Sequence, residues 1–342
     1  MLKIVLCVTM SIFVVFCFCY VAHLLHAKPL QQQEYRGVID LWHVETFEGG
    51  SQNRQKWLNN VVRTFEKAHK GVYVCVATYT HQQAVEKLEA GQSFDVISFS
   101  VGTGNALLPH LAPLEVATQD VLDGFVDAGR VRGTQYALCY STGFYALFAR
   151  QKHLDSLGVT NLAADALNCN LDVKIGKNVV KLQPVGCGFG TFNNPTMALP
   201  ELRCDRMLTQ YQAYEQFVGG KGFVVLLGTQ RDAYRLTNRV QQGKMEDLAF
   251  CVLPTYTDLA QYLGISSSAG EKSEACRQLV GYLTSKEVQH SLCNVYLLSP
   301  TDLEVYGEGW MRQAQDALPT MSTPNVFIDV ALLSGEYQGG AG

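Results

Sequence analysis

The sequence predicts an α/β fold built on a mostly parallel sheet. Two observations favour this class. Short apolar, β-favouring segments alternate with segments whose apolar residues recur every three or four positions, and glycine-rich turns with polar residues follow the apolar segments, as in βα units. The first unit runs from a strand that begins at Gly37, through a turn at Gly49 and Gly50, to a helix predicted over Asn53–His69.

The remaining elements are predicted from the same signals. They are strand Gly71–Thr80, helix His81–Ala90, strand Phe94–Phe99, helix Val116–Phe125, hairpin Asn168–Lys181, helices Thr196–Leu208 and Thr209–Phe217, strands Gly222–Leu227 and Leu248–Leu253, and helices Gly270–Leu283, Ser285–Cys293 and Trp310–Ala317. Pro254–Gly264 is predicted as a polar connector. The extended run Tyr136–Arg150 breaks at residues 141–143, which is typical either of a strand that crosses between two lobes or of an ordinary hairpin.

Composition narrows the functional class. The chain has 342 residues, 47% hydrophobic and 17% charged, which is enough for two domains with their own core. The formal net charge is −4 and no basic block occurs, so a nucleic acid partner is not expected. The eight histidines are scattered along the chain. We therefore predict neither a metal nor a cofactor.

The N-terminus is a separate element. One positive charge precedes the almost wholly apolar segment Ile4–Leu25, and about 20 apolar residues can span a bilayer. Residues 1–27 are therefore predicted to be either an export signal, cut near the end of that range, or an uncleaved signal anchor. Phe precedes both Cys17 and Cys19, which disfavours a lipid-anchored cysteine. The rest of the chain is expected outside the cytoplasm, whether secreted, periplasmic or tethered at the cell surface.

The sequence contains eleven cysteines, of which three lie in the apolar leader. No C-x-x-C pair occurs, so neither a zinc site nor a thioredoxin-like site is supported. The other eight can form disulfides in an oxidising compartment or stay free in a reducing one, and both alternatives stay open. They are Cys75, Cys139, Cys169, Cys187, Cys204, Cys251, Cys276 and Cys293.

Four glycine-rich turns carry the polar residues that follow the predicted strands. One follows the first strand, and the others are Ser100–Asn105, Leu182–Asn194 and Gly228–Asp232. Because parallel strands end at the same edge of a sheet, these turns can contribute to one ligand site. The alternative is four turns with a structural role only.

Five stretches together resemble the extracellular solute-binding proteins of ABC importers, in the carbohydrate-binding group related to maltose-binding protein. They read L-W-H-V-E-T-F-E-G-G-S, D-V-I-S-F-S-V-G, G-F-V-V-L-L-G-T-Q-R-D, L-P-T-Y-T-D-L-A-Q-Y-L-G-I-S and A-C-R-Q-L-V-G-Y-L-T-S-K-E-V-Q. The resemblance covers most of residues 36–300. The chain is shorter than typical members, residues 155–200 are compressed, and the leader lacks a good lipobox.

The resemblance implies a type II periplasmic-binding-protein-like fold with two α/β lobes on a multi-strand hinge. Each lobe would be a mostly parallel sheet flanked by helices. The lobes would interleave, with residues 35–138 and 258–300 in the first and residues 143–254 and 301–342 in the second. The hinge crossings are expected near residues 139–143 and 254–258.

A sugar offers paired hydroxyls and an apolar ring face, so its binder needs planar polar groups and aromatic rings. Residues of these types at the strand ends and crossings are predicted to bind the ligand: Trp42, His43, Glu45, Glu48, Tyr140, Tyr145, Phe189, Thr191, Asn193, Gln230, Arg231, Asp232, Tyr256, Asp258 and Gln261. Alternatively, Trp42 and Tyr145 are core residues, Arg231 and Asp232 form a local ion pair, and Glu48 caps a helix.

The resemblance thus implies a monomer without catalytic residues that captures a sugar or oligosaccharide by closing its lobes and delivers it to ABC permease subunits. A polyamine, iron or phosphate as the ligand stays open, as does an anchored sensor domain that touches the membrane through the leader. An exported hydrolase that uses Glu45 and Glu48, or Cys187 as a nucleophile, is a weaker alternative because no further motif accompanies these residues.

Overall fold

The computed structural model describes residues 35–45, 47, 54–118, 120–157, 162, 172–175, 178–181, 183–185, 187–188, 197, 208–219, 224–303 and 309–329. Contacts divide the chain into Met1–Arg36 and Gly37–Gly342, and the second unit is the subject below. The predicted leader and four predicted ligand residues lie outside the described residues; these four are Glu48, Phe189, Thr191 and Asn193. No helix within the described ranges is long and apolar enough to cross a membrane.

The described strands are β1 (Gly37–Val44), β2 (Val72–Tyr79), β3 (Val96–Ser100), β4 (Arg130–Val131), β5 (Thr134–Gln135), β6 (Leu138–Thr142), β7 (Tyr145–Arg150), β8 (Asp172–Ile175), β9 (Asn178–Lys181), β10 (Gln183–Val185), β11 (Cys187–Gly188), β12 (Leu208–Thr209), β13 (Val224–Thr229), β14 (Leu248–Val252) and β15 (Ala260–Ile265).

The described α-helices are α1 (Arg54–Ala68), α2 (His81–Glu89), α3 (Gly104–Leu107), α4 (Asp123–Asp127), α5 (Gln151–Leu157), α6 (Gln210–Val218), α7 (Gln230–Gln241), α8 (Ser273–Leu283), α9 (Lys286–His290) and α10 (Trp310–Ala317). Short 3₁₀ turns occur at Leu108–His110, Gly270–Lys272, Ser291–Val295 and Leu318–Thr320.

Two larger sheets carry the fold. Sheet 1 has the strand order β2-β1-β3-β15-β6, and sheet 2 has the order β10-β13-β7-β14. In sheet 1, β15 runs antiparallel to both of its neighbours, whereas β1 is parallel to β2 and β3. In sheet 2, β7 is antiparallel to both neighbours, whereas β10 and β13 are parallel. Each sheet is therefore mostly parallel with a single reversed strand.

The reversed strand in each sheet is the one on which the chain arrives from the other sheet. The chain leaves sheet 1 at the end of β6 and enters sheet 2 on β7 after only Gly143 and Phe144. It leaves sheet 2 at the end of β14 and returns on β15. A strand that begins at the carboxyl edge of a parallel sheet must be antiparallel to the other strands. The two sheets therefore turn their carboxyl edges toward each other.

The structure corrects three predictions from the sequence and confirms one. β6 and β7 pair in different sheets, so the ordinary hairpin at residues 141–143 is wrong. Residues 260–265 form the interior strand β15 rather than a connector. The helix predicted over Val116–Phe125 is wrong for most of that range, because Val121 bridges Thr301 and α4 begins only at Asp123 and ends at Asp127. The hairpin predicted near residues 168–181 is confirmed as the antiparallel pair β8 and β9.

Helix α1 shows how sequence pattern and packing agree in sheet 1. Its apolar residues recur every three or four positions and form one buried stripe, namely Trp57, Leu58, Val61, Val62 and Phe65. The helix packs against β2 and against α8, which buries a matching stripe that includes Leu279 and Leu283. The division into lobes at the residue bounds given above stays a prediction from the sequence.

Two glycine substitutions should have opposite effects on stability. Gly281 lies inside α8, and a Cβ there would find only Val116 Cγ1 at 4.0 Å. We expect Gly281→Ala to raise the free energy of unfolding by about 0.5–1 kcal/mol, because alanine favours the helix. A Cβ on Gly104 would overlap the carbonyl of Val326, with the carbon at 2.8 Å. We expect Gly104→Ala to lower it by about 1–3 kcal/mol.

Urea unfolding of both variants checks this pair of predictions, with the wild-type chain as the reference. Equal midpoints for Gly104→Ala and Gly281→Ala would show that the contact between Gly104 and Val326 does not limit the packing.

Candidate functional site

A buried polar network lies at the carboxyl edge of sheet 1. Its centre is Ser98 Oγ on β3, which lies 2.9 Å from each of three groups: His43 Nδ1, Tyr140 OH and Gln261 Nε2. Gln261 Nε2 also donates to the carbonyl of Val44 at 3.0 Å. The side chains in the network belong to β1, β3, β6 and β15, so it joins four neighbouring strands of the sheet.

His43 and Tyr140 share Ser98 as a buried hydrogen-bond partner. Gln261 Nε2 donates to Ser98 Oγ, which is also in hydrogen-bond contact with His43 Nδ1 and Tyr140 OH. His43 Nε2 lies 3.8 Å from Glu45 Oε1 and has no hydrogen-bond partner among the described residues. Burial lowers the pKa of His43 well below its usual value, and nearby Arg54 lowers it further.

Arg54, the first residue of α1, is a buried guanidinium that closes the same edge. Its Nη1 donates to Gln261 Oε1 at 2.8 Å, and its Nη2 donates to the carbonyl of Phe47. The guanidinium carbon lies 4.1 Å from the centre of the Phe47 ring. Burial lowers the pKa of Arg54. The side chain thereby joins Phe47, which follows β1, to Gln261 on β15, while Glu45 remains exposed.

A second cluster of predicted residues lies in the crossings between the sheets. Tyr145 OH donates to Asp258 Oδ1 at 2.6 Å, and Tyr256 OH donates to Asp258 Oδ2 at 3.3 Å. All three side chains are buried. Burial raises the pKa of Tyr256, and the adjacent Asp258 carboxylate raises it further. In this arrangement the carboxylate joins the start of β7 to the returning chain.

The start of helix α7 holds the predicted residues of sheet 2. Gln230 is fully buried, and its Oε1 accepts a hydrogen bond from the backbone N of Phe144 at 3.2 Å. Asp232 Oδ2 accepts from the backbone N of Thr229 at 3.0 Å, which caps the helix. Arg231 is half-buried, and burial lowers its pKa, with a further contribution from Arg235.

The predicted residues are thus brought together at the facing edges, although most of them are enclosed by protein. Trp42 is 5% exposed and packs on Tyr79 and Phe94, with ring centres 5.1 and 5.5 Å away. Among the predicted residues that the structure describes, Glu45 and Arg231 keep appreciable exposure.

A cavity of about 640 Å³ lies beside these edges and opens to solvent. It is lined by one face of α1, by residues from the end of α8 through α9 to Val295, and by Tyr234 on α7 together with Tyr296. Helix α1 packs on sheet 1, whereas α7 packs on β13 and β7 of sheet 2. The lining residues are Lys56, Trp57, Asn60, Val61, Thr64, Tyr234, Tyr282, Glu287, Val288, Ser291, Asn294, Val295 and Tyr296.

Aromatic rings line the end of the cavity. The ring of Tyr296 lies 4.5 Å from that of Tyr234 and 5.7 Å from that of Trp310, on which it stacks at 22°. Tyr296 has left-handed backbone angles (φ 55°), which are uncommon for a residue other than glycine. On the side of sheet 1, Trp57 stacks on Tyr140 and donates its indole hydrogen to Ser291 Oγ at 2.9 Å.

Of the predicted ligand residues that the structure describes, none lines this cavity. Trp57 and Val61 belong to the apolar stripe of α1, and that pattern by itself indicates a core role for both. Tyr234 follows Gln230 by one helical turn, so the predicted residues Gln230, Arg231 and Asp232 lie on the same helix as this cavity residue, one turn earlier. Tyr296 carries no local signal, because its position depends on the chain path after the 3₁₀ turn.

Comparison with solved structures identifies the fold. The GacH receptor of Streptomyces glaucescens, described with acarbose, matches with a TM-score of 0.63 at 17% identity, over 89% of this chain and 91% of that one. The chain has the two-lobe fold of the maltose-binding-protein-like solute-binding proteins. The sugar-binding protein MalE from Xanthomonas citri gives 0.62 at 16% identity, covering 88% and 90%.

The galacto-N-biose-/lacto-N-biose I-binding protein of the ABC transporter from Bifidobacterium longum gives a TM-score of 0.57 at 13% identity, covering 89% and 92% of the two chains. No family model matches the sequence, and no curated protein sequence matches it either. At these identities the similarity establishes the two-lobe fold. The ligand has to be argued from the site itself.

The buried His43 predicts that stability falls as the pH falls. The unfolded chain takes up a proton on this histidine near pH 6.5, whereas the native imidazole stays neutral because its pKa is lowered. The unfolded state then binds more protons, so the free energy of unfolding decreases below about pH 6.5, by up to about 1.4 kcal/mol per pH unit from this residue.

Urea unfolding between pH 7 and pH 5 measures this slope. His43→Asn, whose amide can still reach Ser98, should show a shallower slope than the wild type. The exposed His110→Gln is the matched control and should keep the wild-type slope, because it retains His43. The same slope in His43→Asn and wild type would contradict the neutral, buried imidazole.

Proposed function

We propose that this chain is an extracytoplasmic solute-binding protein that captures a sugar or oligosaccharide between two lobes and delivers it to an ABC permease. The observation that carries the proposal is the cavity between α1 and α7, which combines aromatic rings with neutral polar side chains. The similar structures support it, because their descriptions name sugar-binding proteins and a component of an ABC transporter.

The lining of the cavity suits a sugar ring. Aromatic rings pack against the apolar face of a pyranose, and amide and hydroxyl groups exchange hydrogen bonds with its hydroxyls. Trp57 on α1 and Tyr234 on α7 supply rings, and Asn60, Asn294 and Ser291 supply neutral polar groups. The predicted residues Glu45 and Arg231, which stay accessible at the facing edges, are proposed to extend the contacts of a longer ligand.

Capture by closure follows from the placement of the walls. Tyr234 moves with sheet 2, whereas Trp57 and Asn60 move with sheet 1. A ligand that touches both walls binds the closed form more tightly than the open form and so shifts the population toward closure. The closed form then presents both lobes to the permease, which is proposed to be its protein partner.

Other solutes fit the lining less well. A polyamine needs several carboxylates, and Glu287 is the acidic residue among the cavity lining that the structure describes. Phosphate needs clustered donors without carboxylates. For iron, no group of three His, Cys, Asp or Glu side chains within the described ranges is arranged to hold a metal. We therefore consider a polyamine, phosphate and iron to be less suited to this cavity than a neutral sugar.

We further propose that the protein binds without catalysis and works outside the cytoplasm. The similar structures are binding proteins, one of them described as extracellular. The buried carboxylate of Asp258 already receives hydrogen bonds from two tyrosines, which suits a structural role in the hinge. The apolar leader predicted from the sequence would export or anchor the chain.

Thermal unfolding with added sugars tests the function. A ligand that binds only the native state, at 100 times its dissociation constant, adds about 2.7 kcal/mol to the free energy of unfolding. We expect the midpoint to rise by a few degrees with one class among maltose, maltotriose, mannotriose and lacto-N-biose. The full chain is kept in a detergent without a sugar head group, since maltoside detergents would compete for the site.

Spermidine, inorganic phosphate and ferric ion are the controls in the same experiment. A midpoint that rises with one control and with none of the sugars would replace the sugar with that solute. No change with any compound would contradict the proposed function, because the tested sugars span both α- and β-linked chains.

A matched pair of tyrosine variants locates the site. Tyr234→Ala removes a ring from the cavity, and we expect it to weaken sugar binding about tenfold or more, because a lost aromatic contact of roughly 1.4 kcal/mol is a factor of ten. Tyr73→Ala removes a ring that is 61% exposed on β2, outside the cavity, and should leave the affinity unchanged. Isothermal titration calorimetry compares the two, and equal affinities would place the sugar elsewhere.

A further inference from the structure

Gln230 lies where helix α7, the cavity and the crossing between the sheets meet. It is the first residue of α7, and its buried Oε1 accepts a hydrogen bond from the backbone N of Phe144 at 3.2 Å. Tyr234, one turn later on the same helix, closes the cavity. A single helical turn therefore separates the cavity from the point where the chain changes sheets.

Gly143 leaves the space that this amide occupies. A Cβ atom on Gly143 would lie 2.6 Å from Cδ and 2.7 Å from Nε2 of Gln230, and it would also overlap Oε1. Because non-bonded carbon contacts are normally about 3.5 Å, a side chain at this position would displace the amide by about 1 Å. The φ angle of Gly143 is not positive, so the glycine is required for space and not for backbone conformation.

The backbone around Gly143 is fixed from the side of sheet 1. Its N donates to the carbonyl of Leu259 at 2.6 Å, and its carbonyl accepts from Thr257 Oγ1 at 2.9 Å. The preceding residue, Thr142, exchanges two backbone hydrogen bonds of 2.9 Å with Leu298. Three separate chain segments that pass between the sheets therefore converge on the surface against which Gln230 packs.

We propose that Gln230 is a positioning residue that sets the place of α7 relative to the hinge. Its amide rests on Gly143, and α7 is a continuous helix, so this contact determines how far Tyr234 lies from the wall that carries Trp57. A shift of about 1 Å in such a contact is enough to weaken binding strongly. The inference rests on the proposed function of the cavity and adds the residue that controls its width.

A double-mutant cycle tests the inference on the full chain. Gly143→Ala should displace Gln230, weaken sugar binding about tenfold, and raise acrylamide quenching of tryptophan fluorescence without sugar, because Trp57 lines the cavity and Trp310 stacks on the cavity residue Tyr296. Gln230→Ala makes room for the new methyl group. The combined Gly143→Ala and Gln230→Ala variant should therefore bind and quench like Gln230→Ala alone. Gly281→Ala, whose Cβ has free space, is the matched glycine control.

The cycle separates positioning from a loss of fold, since thermal unfolding of each variant is measured in parallel. Wild-type affinity and quenching in Gly143→Ala, or a combined variant that binds or quenches differently from Gln230→Ala alone, would overturn the inference. Failure of every variant and of the wild type to bind sugar would refute the proposed function, and the quenching cycle alone would then decide the role of Gln230. If Gly143→Ala does not fold, Gln230→Asn, which is too short to reach Phe144 N, should raise quenching instead.

Discussion

The two-residue link between β6 and β7 constrains the rest of the structure. With only Gly143 and Phe144 between them, the strands must leave one sheet and enter the other at edges that lie side by side. This makes β7 the reversed strand of its sheet, and the return path does the same for β15. The facing edges then gather side chains from distant parts of the chain, and the cavity forms beside them between the helices that follow β1 and β13.

The carboxyl edge of sheet 1 is stabilised by buried polar contacts rather than by apolar packing. A buried guanidinium is costly unless its hydrogen bonds are satisfied, and Arg54 meets this condition through Gln261 and the carbonyl of Phe47. The neutral imidazole of His43 avoids a second buried cation next to it. The network fixes the strand ends, while the space between α1 and α7 stays open for a ligand.

The periodicity of the sequence was sufficient to predict the βα units, because these depend on local pattern. At residues 141–143 it left a crossing and an ordinary hairpin open, and the pairing of β6 and β7 in different sheets decides between them. The polar residues of Pro254–Gly264, among them Gln261, predict a connector and not strand β15. Only the tertiary hydrogen bonds to Arg54 and Ser98 make Gln261 a core residue. Residue type alone also does not distinguish an amide that binds a sugar from one that, like Gln230, accepts a hydrogen bond from the backbone where the chain crosses between the sheets. The roles of the predicted ligand residues therefore remain predictions. The cavity could not be predicted from the sequence, because its lining residues come from helices that are distant in the chain.

The central place of β15 has a consequence for biosynthesis. This strand fills the gap between β3 and β6, yet it is made only after the whole of sheet 2. Until it arrives, a nascent chain would expose the facing edges of two apolar strands, and unpaired strand edges are sites of aggregation. Sheet 1 therefore stays incomplete until the chain has been synthesised as far as Ile265, the last residue of β15.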